Sequence, residues 1–251
     1  MILIIGLVLK NTLKSIEKAI KSFLFLNKCC IILIGDDYMA KVEIPKYSLG
    51  EEIFNAVSHG VGGLLSIAAI VLLIIKSSTP IGVITSIVYG FIMLVLYTIS
   101  CIYHSLSPRV VGKKVLRVID HCNVLLMVAG TYTPISLSLI GGALGWITFG
   151  IVWGITVLSV VFTAINVDKF SVLMVLCNLL LGWCGIMLLG PIMEACPMKG
   201  VWFLIIGGII YTIGAILYAC GKKIPYMHSV FHLFVLGGSI FHFFFIFLYC
   251  I

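Results

Sequence analysis

From Glu51 onward the chain alternates long apolar runs with short breaks rich in glycine, proline or charge. The breaks fall at Lys76–Pro80, Ser105–Val118, Gly141–Gly145, Ile165–Lys169, Pro191–Gly200 and Gly221–Tyr226. The runs between them cover residues 53–75, 81–103, 119–139, 144–163, 171–190, 201–220 and 229–250. Each is close to the roughly 20 apolar residues that a helix needs to cross a hydrocarbon core. The runs are continuous, not the alternating short segments of a membrane β-barrel. Ser48-Leu49-Gly50-Glu51 has the form of a capping box and predicts where the first helix opens. The pattern predicts an all-α, seven-transmembrane helix bundle. Glycine pairs at 62–63, 141–142, 207–208 and 237–238, with Gly150-x-x-x-Gly154, suit close helix contacts.

Composition agrees. The chain is 62% hydrophobic and 10% charged, against about 45–50% and about 25% in soluble domains. The net charge of +7 would suggest nucleic acid in a soluble protein. Here its distribution across loops matters instead, and no nucleic-acid partner is expected. With spans alternating in direction, 14 of the 16 basic residues fall on one side, leaving Lys76 and Lys199 on the other. The excess of Lys and Arg places the N-terminus in the cytoplasm and the C-terminus outside. Counted from residue 39 the split is still 9 to 2. Nine cysteines with no C-x-x-C pair sit mostly in or beside apolar runs, where they act as small hydrophobes rather than a disulfide framework.

Residues 1–46 form a basic extension with seven lysines and two apolar patches too short to span, followed by the membrane domain 47–251. Neither patch has the flanks of a signal peptide. Two readings of this extension stand level: residues 10–26 lie on the membrane as a basic amphipathic helix, or translation begins at Met39.

The alternation of spans brings polar residues of four helices to one level. Glu51, Glu52, Asn55 and His59 lie near the inner end of the first helix, and Ser100 and His104 at that of the second. Asp120 and His121 open the third, and His228 and His232 the seventh. Ionisable groups at the edge of an apolar span are costly without a partner. Residues four apart share a helix face, so Ser100/His104 and His228/His232 are pairs and Glu51/Asn55/His59 a stripe. A His-x-x-x-His pair can put two imidazoles on one metal. With His104 as third ligand and a solvent position, this makes an open zinc site. Asp120, the one carboxylate expected within reach of a span interior there, would orient a ligand or water. Taken singly, each histidine fits a hydrogen-bonded boundary residue better than a ligand; taken together with Asp120, the two readings are balanced. His121 reads as structural or lipid-facing. His242, roughly 15 Å beyond His232, reads as a packing residue. Asp168 and Glu194 read as solvated loop residues, and Glu51 as a cap. No G-x-S-x-G, phosphate loop or paired acidic motif is present in the spans.

EEIFNAVSHG (51–60), SCIYHSL (100–106), LRVIDH (116–121), AGTYTP (129–134) and MHSVFHL (227–233) resemble, in order and spacing, the hemolysin III family. This is the bacterial branch of the progestin and adipoQ receptor group, within a superfamily that includes alkaline ceramidases. The likeness runs from about Tyr47 to the C-terminus and leaves out residues 1–38, which favours the Met39 start. It implies seven helices and a zinc ion held by His104, His228 and His232 near the cytoplasmic side, with Ser100 and Asp120 close by.

Three functions follow as expectations. The first is a zinc-dependent membrane hydrolase of a lipid amide or related amphiphile. There Asp120 would accept a proton or hold water in line, Ser100 would hydrogen-bond water or oxyanion, and Asn55 and His59 would line the site. The second is a pore-forming cytolysin. A water-filled path needs polar lining throughout, and Thr131, Thr133, Asn178, Thr212, Ser239 and His242 are few and scattered. The third is a receptor-like or membrane-stress sensor with structural zinc, a role that usually takes four protein ligands. In each case the surroundings are the lipids of the cell membrane.

Overall fold

The computed structural model describes residues 42–110, 112–221 and 224–251. The surface helix expected over 10–26 and the Met39 start lie outside them. The described residues form α1 (Leu49–Lys76), α2 (Pro80–Ser105), α3 (Gly112–Pro134), α4 (Gly142–Ile165), α5 (Ser171–Trp183), α6 (Leu189–Ala195), α7 (Met198–Cys220) and α8 (Met227–Phe245). A π-helical turn, Ile135–Ile140, extends α3 and another, Ile246–Cys250, extends α8, while a 3-10 stretch, Cys184–Leu188, joins α5 to α6. Together these make seven spans long and apolar enough to cross a membrane. Large apolar side chains such as Leu64, Trp146, Ile151, Leu158 and Trp202 stand exposed on their outer faces, where lipid is their natural solvent.

Most boundaries fall within a few residues of the sequence reading, and the capping box at Ser48 and Glu51 is present. Two differ. The third span begins at Gly112, not 119. Its first two turns carry Lys113, Lys114 and Arg117, which read as a basic loop. Lys113 is fully buried against Glu52 and Arg117 is paired with Asp168, so both charges sit within a helix. The fifth span runs to Ala195, broken by its 3-10 stretch. Carbonyl groups freed near that break are met by Tyr132 Oη, which donates to Leu181 O at 2.8 Å and Gly182 O at 3.2 Å. Irregular backbone at this depth is tolerated when such partners exist.

Around the bundle α4 packs on α3, α3 on α2, α2 on α1, α1 on α8 and α8 on α7; α5 closes the ring against α7 and α3. Three of the glycine expectations hold as close contacts. A Cβ on Gly62 would lie 2.6 Å from the Tyr97 ring, one on Gly207 2.4 Å from His242, and one on Gly238 2.8 Å from Tyr211. Two do not. Gly141 and Gly142 make the turn into α4 with φ of 64° and 56°, and Gly150 and Gly154 meet nothing within 4 Å among the described residues. The latter pair faces outward on α4, which contacts its neighbours through other faces.

Asp168 is not simply solvated. Its Oδ1 accepts from Arg117 Nη2 at 2.6 Å. Burial works to raise its carboxyl, but the Arg117 hydrogen bond and charge outweigh this and hold it below the usual carboxylate range. A depressed carboxyl contributes stability that is present above its unfolded pKa and lost as pH falls through the folded one. Asp168 is 42% exposed, so solvent screens the pair. Asp168→Asn is therefore expected to cost under about 1 kcal/mol near neutrality. The difference from the parent should shrink as the pH drops below about 4. Thermal melts of the detergent-solubilised protein over that range test it; a difference that does not change with pH would speak against the linkage.

Candidate metal centre

The end of the bundle that carries the Ser48 cap also carries the polar constellation. Helix α1 begins there because Ser48 and Glu51 satisfy each other's backbone amides: Ser48 N donates to Glu51 Oε2 at 2.7 Å and Glu51 N to Ser48 Oγ at 3.3 Å. The other carboxylate oxygen, Oε1, accepts from Tyr226 N at 2.7 Å. Tyr226 has a left-handed backbone, φ 62°, immediately before α8. Glu51 is thus a cap, as expected, and it also ties the start of α8 to the start of α1. His228 follows two residues later and His232 one turn beyond.

His104 comes from the last turn of α2, and its ligand nitrogen lies with those of His228 and His232 within 4.8 Å of one another. His228 Nε2 and His232 Nε2 are 3.0 Å apart. Two nitrogens on a tetrahedral zinc at its usual bond length would be about 3.3 Å apart, so the pair is close to the spacing a single ion needs. His104 Nε2 is buried and has no hydrogen-bond partner among the described residues. An orphaned buried acceptor is costly, and a cation is one partner that removes the cost. A set of three imidazoles is also the donor chemistry zinc accepts. By these three observations the residues fit the metal.

Around the trio the other expected residues fall as follows. Ser100 and Asp120 line the same cavity as His228 and His232. Asn55 is fully buried, with Nδ2 3.4 Å from His104 Nδ1. His59 stacks on His232 with ring centres 3.7 Å apart and planes 14° apart, which makes it a wall of the site and not a member of the trio. His121 is held by Arg117 O at 2.8 Å and Tyr218 Oη at 3.3 Å. His242 sits deep in the bundle with Nε2 3.4 Å from Leu204 O. Tyr47, just before α1, stacks on His228 with centres 4.9 Å apart. Burial there pushes its hydroxyl well above the ordinary tyrosine range, so the phenol stays neutral over the centre.

The sequence reading missed Glu52. It took Asp120 as the one carboxylate at this depth, yet Glu52 Oε2 is 2.7 Å from His104 Nδ1 and Oε1 is 2.5 Å from Lys113 Nζ. The signal was present in the spacing: Glu52, Asn55 and His59 follow one another at i, i+3 and i+7, one face of a helix. The contact itself joins residues 52 apart in the chain and is made only by packing.

From His228 and His232 an apolar cavity of about 380 Å³ runs up the bundle between α3, α5, α6, α7 and α8, lined by Met127, Leu179, Ile192, Leu204, Tyr211 and, at the far end, His242. Its size is that of a small-molecule site.

Fold and site define a multi-pass membrane protein with a three-histidine cluster beside an apolar cavity. Residues 47–243 match the sequence model of the haemolysin-III-related proteins, and the chain belongs to that family. It is 39% identical over 203 residues to Hemolysin-3 of Bacillus cereus, covering 79% of this chain and 91% of that protein. It is 38% identical over 208 residues to the Hemolysin-3 homolog of Bacillus subtilis (strain 168), covering 82% and 97%. A more distant relative is the Monocyte to macrophage differentiation factor of Homo sapiens, 24% identical over 177 residues, covering 66% and 70%.

Proposed function

We propose that the protein is a zinc-dependent membrane hydrolase of a lipid amide or related amphiphile, with its metal centre toward the cytoplasmic side of the cell membrane. The observation that carries this reading is the convergence of three histidine nitrogens, two of them on residues, His228 and His232, that line an apolar cavity. His104, His228 and His232 would hold the ion. Zinc, when bound, supplies Lewis acidity and brings the pKa of a coordinated water to about 7. Three protein ligands leave a position for solvent or substrate, where a structural zinc is usually closed by four.

The remaining roles belong to the chain. Asp120 accepts a proton from the attacking water and delivers it to the leaving amine. Ser100 donates a hydrogen bond to the oxygen on which charge develops. The apolar walls take the acyl chain and keep bulk water from the reacting carbonyl. The excess of Lys and Arg on the side of the histidines supports a cytoplasmic facing.

Purified protein is expected to hold close to one zinc per chain and to release fatty acid from a long-chain N-acyl amine. The name Hemolysin-3 of the Bacillus cereus relative points to a second reading, membrane permeabilisation. Dye leakage from liposomes that persists after His104, His228 and His232 are all replaced, with no amide cleavage by the parent, would favour that reading over hydrolysis.

A further inference from the structure

Lys113 and Glu52 make an ion pair at the head of the bundle, and the lysine is fully buried. Taking both charges out of water costs several kcal/mol per ion, and their attraction repays it only with good geometry and further hydrogen bonds. As a device for stability alone such a pair is a poor choice, since apolar residues of the same volume serve as well. Its geometry gives it another use. Glu52 Oε1 faces Lys113 Nζ at 2.5 Å, while Oε2 faces His104 Nδ1 at 2.7 Å. Lys113 Nζ also donates to Leu106 O at 2.8 Å, the carbonyl of the residue that ends α2, two positions after His104. One ammonium therefore grips both the carboxylate that touches the histidine and the backbone that carries it.

A carboxylate can only accept, so the His104 contact requires the proton on Nδ1. The Asn55 amide, at 3.4 Å from the same nitrogen, is the longer contact and a donor, and it does not compete. With Nδ1 protonated, Nε2 presents its lone pair, and among the described residues Nε2 has no partner.

We infer that Glu52, held in place by Lys113, is the positioning residue of the metal centre: it sets the tautomer and ring orientation of His104 so that Nε2 is the ligand atom. The inference rests on the metal reading above, but its tautomer half stands without it. Carboxylate partners of this kind orient metal-bound histidines and raise their basicity, and their loss typically costs 10–100-fold in metal affinity. In this chain the carboxylate comes from α1, the imidazole from α2 and the lysine from α3, so His104 is positioned only when three helices have docked, and α8 must join them to complete the trio.

Two readouts on the full-length protein in detergent test this. In zinc competition against a fluorescent chelator, Glu52→Gln and Glu52→Leu are expected to weaken binding by roughly 10-fold and 100-fold. The amide oxygen of the former still accepts from Nδ1, while the latter offers no acceptor. Where a single variant fails to fold because Lys113 is left buried and unpaired, Glu52→Gln with Lys113→Met removes both charges at nearly constant shape and carries the same expectation. In parallel, ¹⁵N-histidine spectra of metal-free protein, with His104 assigned by its loss in His104→Gln, should show Nδ1–H in the parent and a mixed or reversed tautomer in Glu52→Leu. Zinc affinity within twofold of the parent in all three variants overturns the positioning role. If the parent binds no zinc, the metal reading fails and the spectra decide the tautomer alone: Nδ1–H that survives Glu52→Leu overturns it, and its loss upholds it.

Discussion

Asp120→Asn is expected to leave zinc bound and to lower amide turnover by roughly 10²–10⁴-fold, the usual range for removing a positioned general base. Asn has the shape of Asp and keeps an accepting oxygen, so the change removes the capacity to take a proton and little else. Asp120 lines the cavity beside Ser100, His228 and His232 but is not among the three residues whose ligand nitrogens converge. Metal content should therefore stay near that of the parent while kcat falls, with a smaller effect on KM. Zinc stoichiometry and steady-state kinetics on the same preparation separate the two. Turnover within a few-fold of the parent would remove Asp120 from the chemistry.

The same cavity weighs against a pore through one chain. Away from the histidines its walls are made by residues such as Met127, Leu179, Leu189 and Ile192. The polar groups expected to line a channel are mostly occupied within the bundle. Thr131 donates to Met127 O at 2.9 Å, Thr133 to Ala129 O at 2.8 Å and Thr212 to Gly208 O at 2.7 Å. Ser239 is shared between the hydroxyls of Tyr97 and Tyr211, at 2.6 and 2.7 Å. A conduction path would have to break these local bonds to wet its walls. The acyl chain proposed above would require none of them to be broken.

How much of this was legible in the sequence depends on the range of the interaction involved. The seven spans could be read because hydrocarbon thickness imposes length on each apolar run independently of the others. The common level of His104, His228 and His232 followed from counting turns of the chain, since alternate spans must return to the same side. The start of α3 could not be read. A segment with Lys113, Lys114 and Arg117 reads as loop unless its partners are known, and Glu52 and Asp168 lie 61 and 51 residues away along the chain. The same blindness hid Glu52 itself: its place at the inner end of the first helix is legible, but its partners His104 and Lys113 lie 52 and 61 residues away along the chain. Small-residue spacing misled at Gly150 and Gly154 because it marks a face that permits close approach, and no helix among the described residues takes up that face.

The second large effect belongs to the ligands. His232→Ala is expected to weaken zinc binding by about 10²–10³-fold and to abolish amide turnover at ordinary metal concentrations. Structural zinc sites release about 10–16 kcal/mol in all. A quarter share per ligand is about 2.5–4 kcal/mol, and each 1.4 kcal/mol is about a factor of ten. The substitution also removes the ring on which His59 stacks, so stability falls in the metal-free protein too. His59→Ala provides the control, because it loses the same stacking contact but leaves the three convergent nitrogens in place; zinc affinity should change by less than about tenfold. Melting with and without chelator then separates ligation from packing. A ligand that binds only the folded state raises stability by mass action. The parent and His59→Ala should both lose stability when zinc is withdrawn, while His232→Ala should melt at the same temperature with or without it. An equal response to chelator in His232→Ala and the parent would remove His232 from the centre.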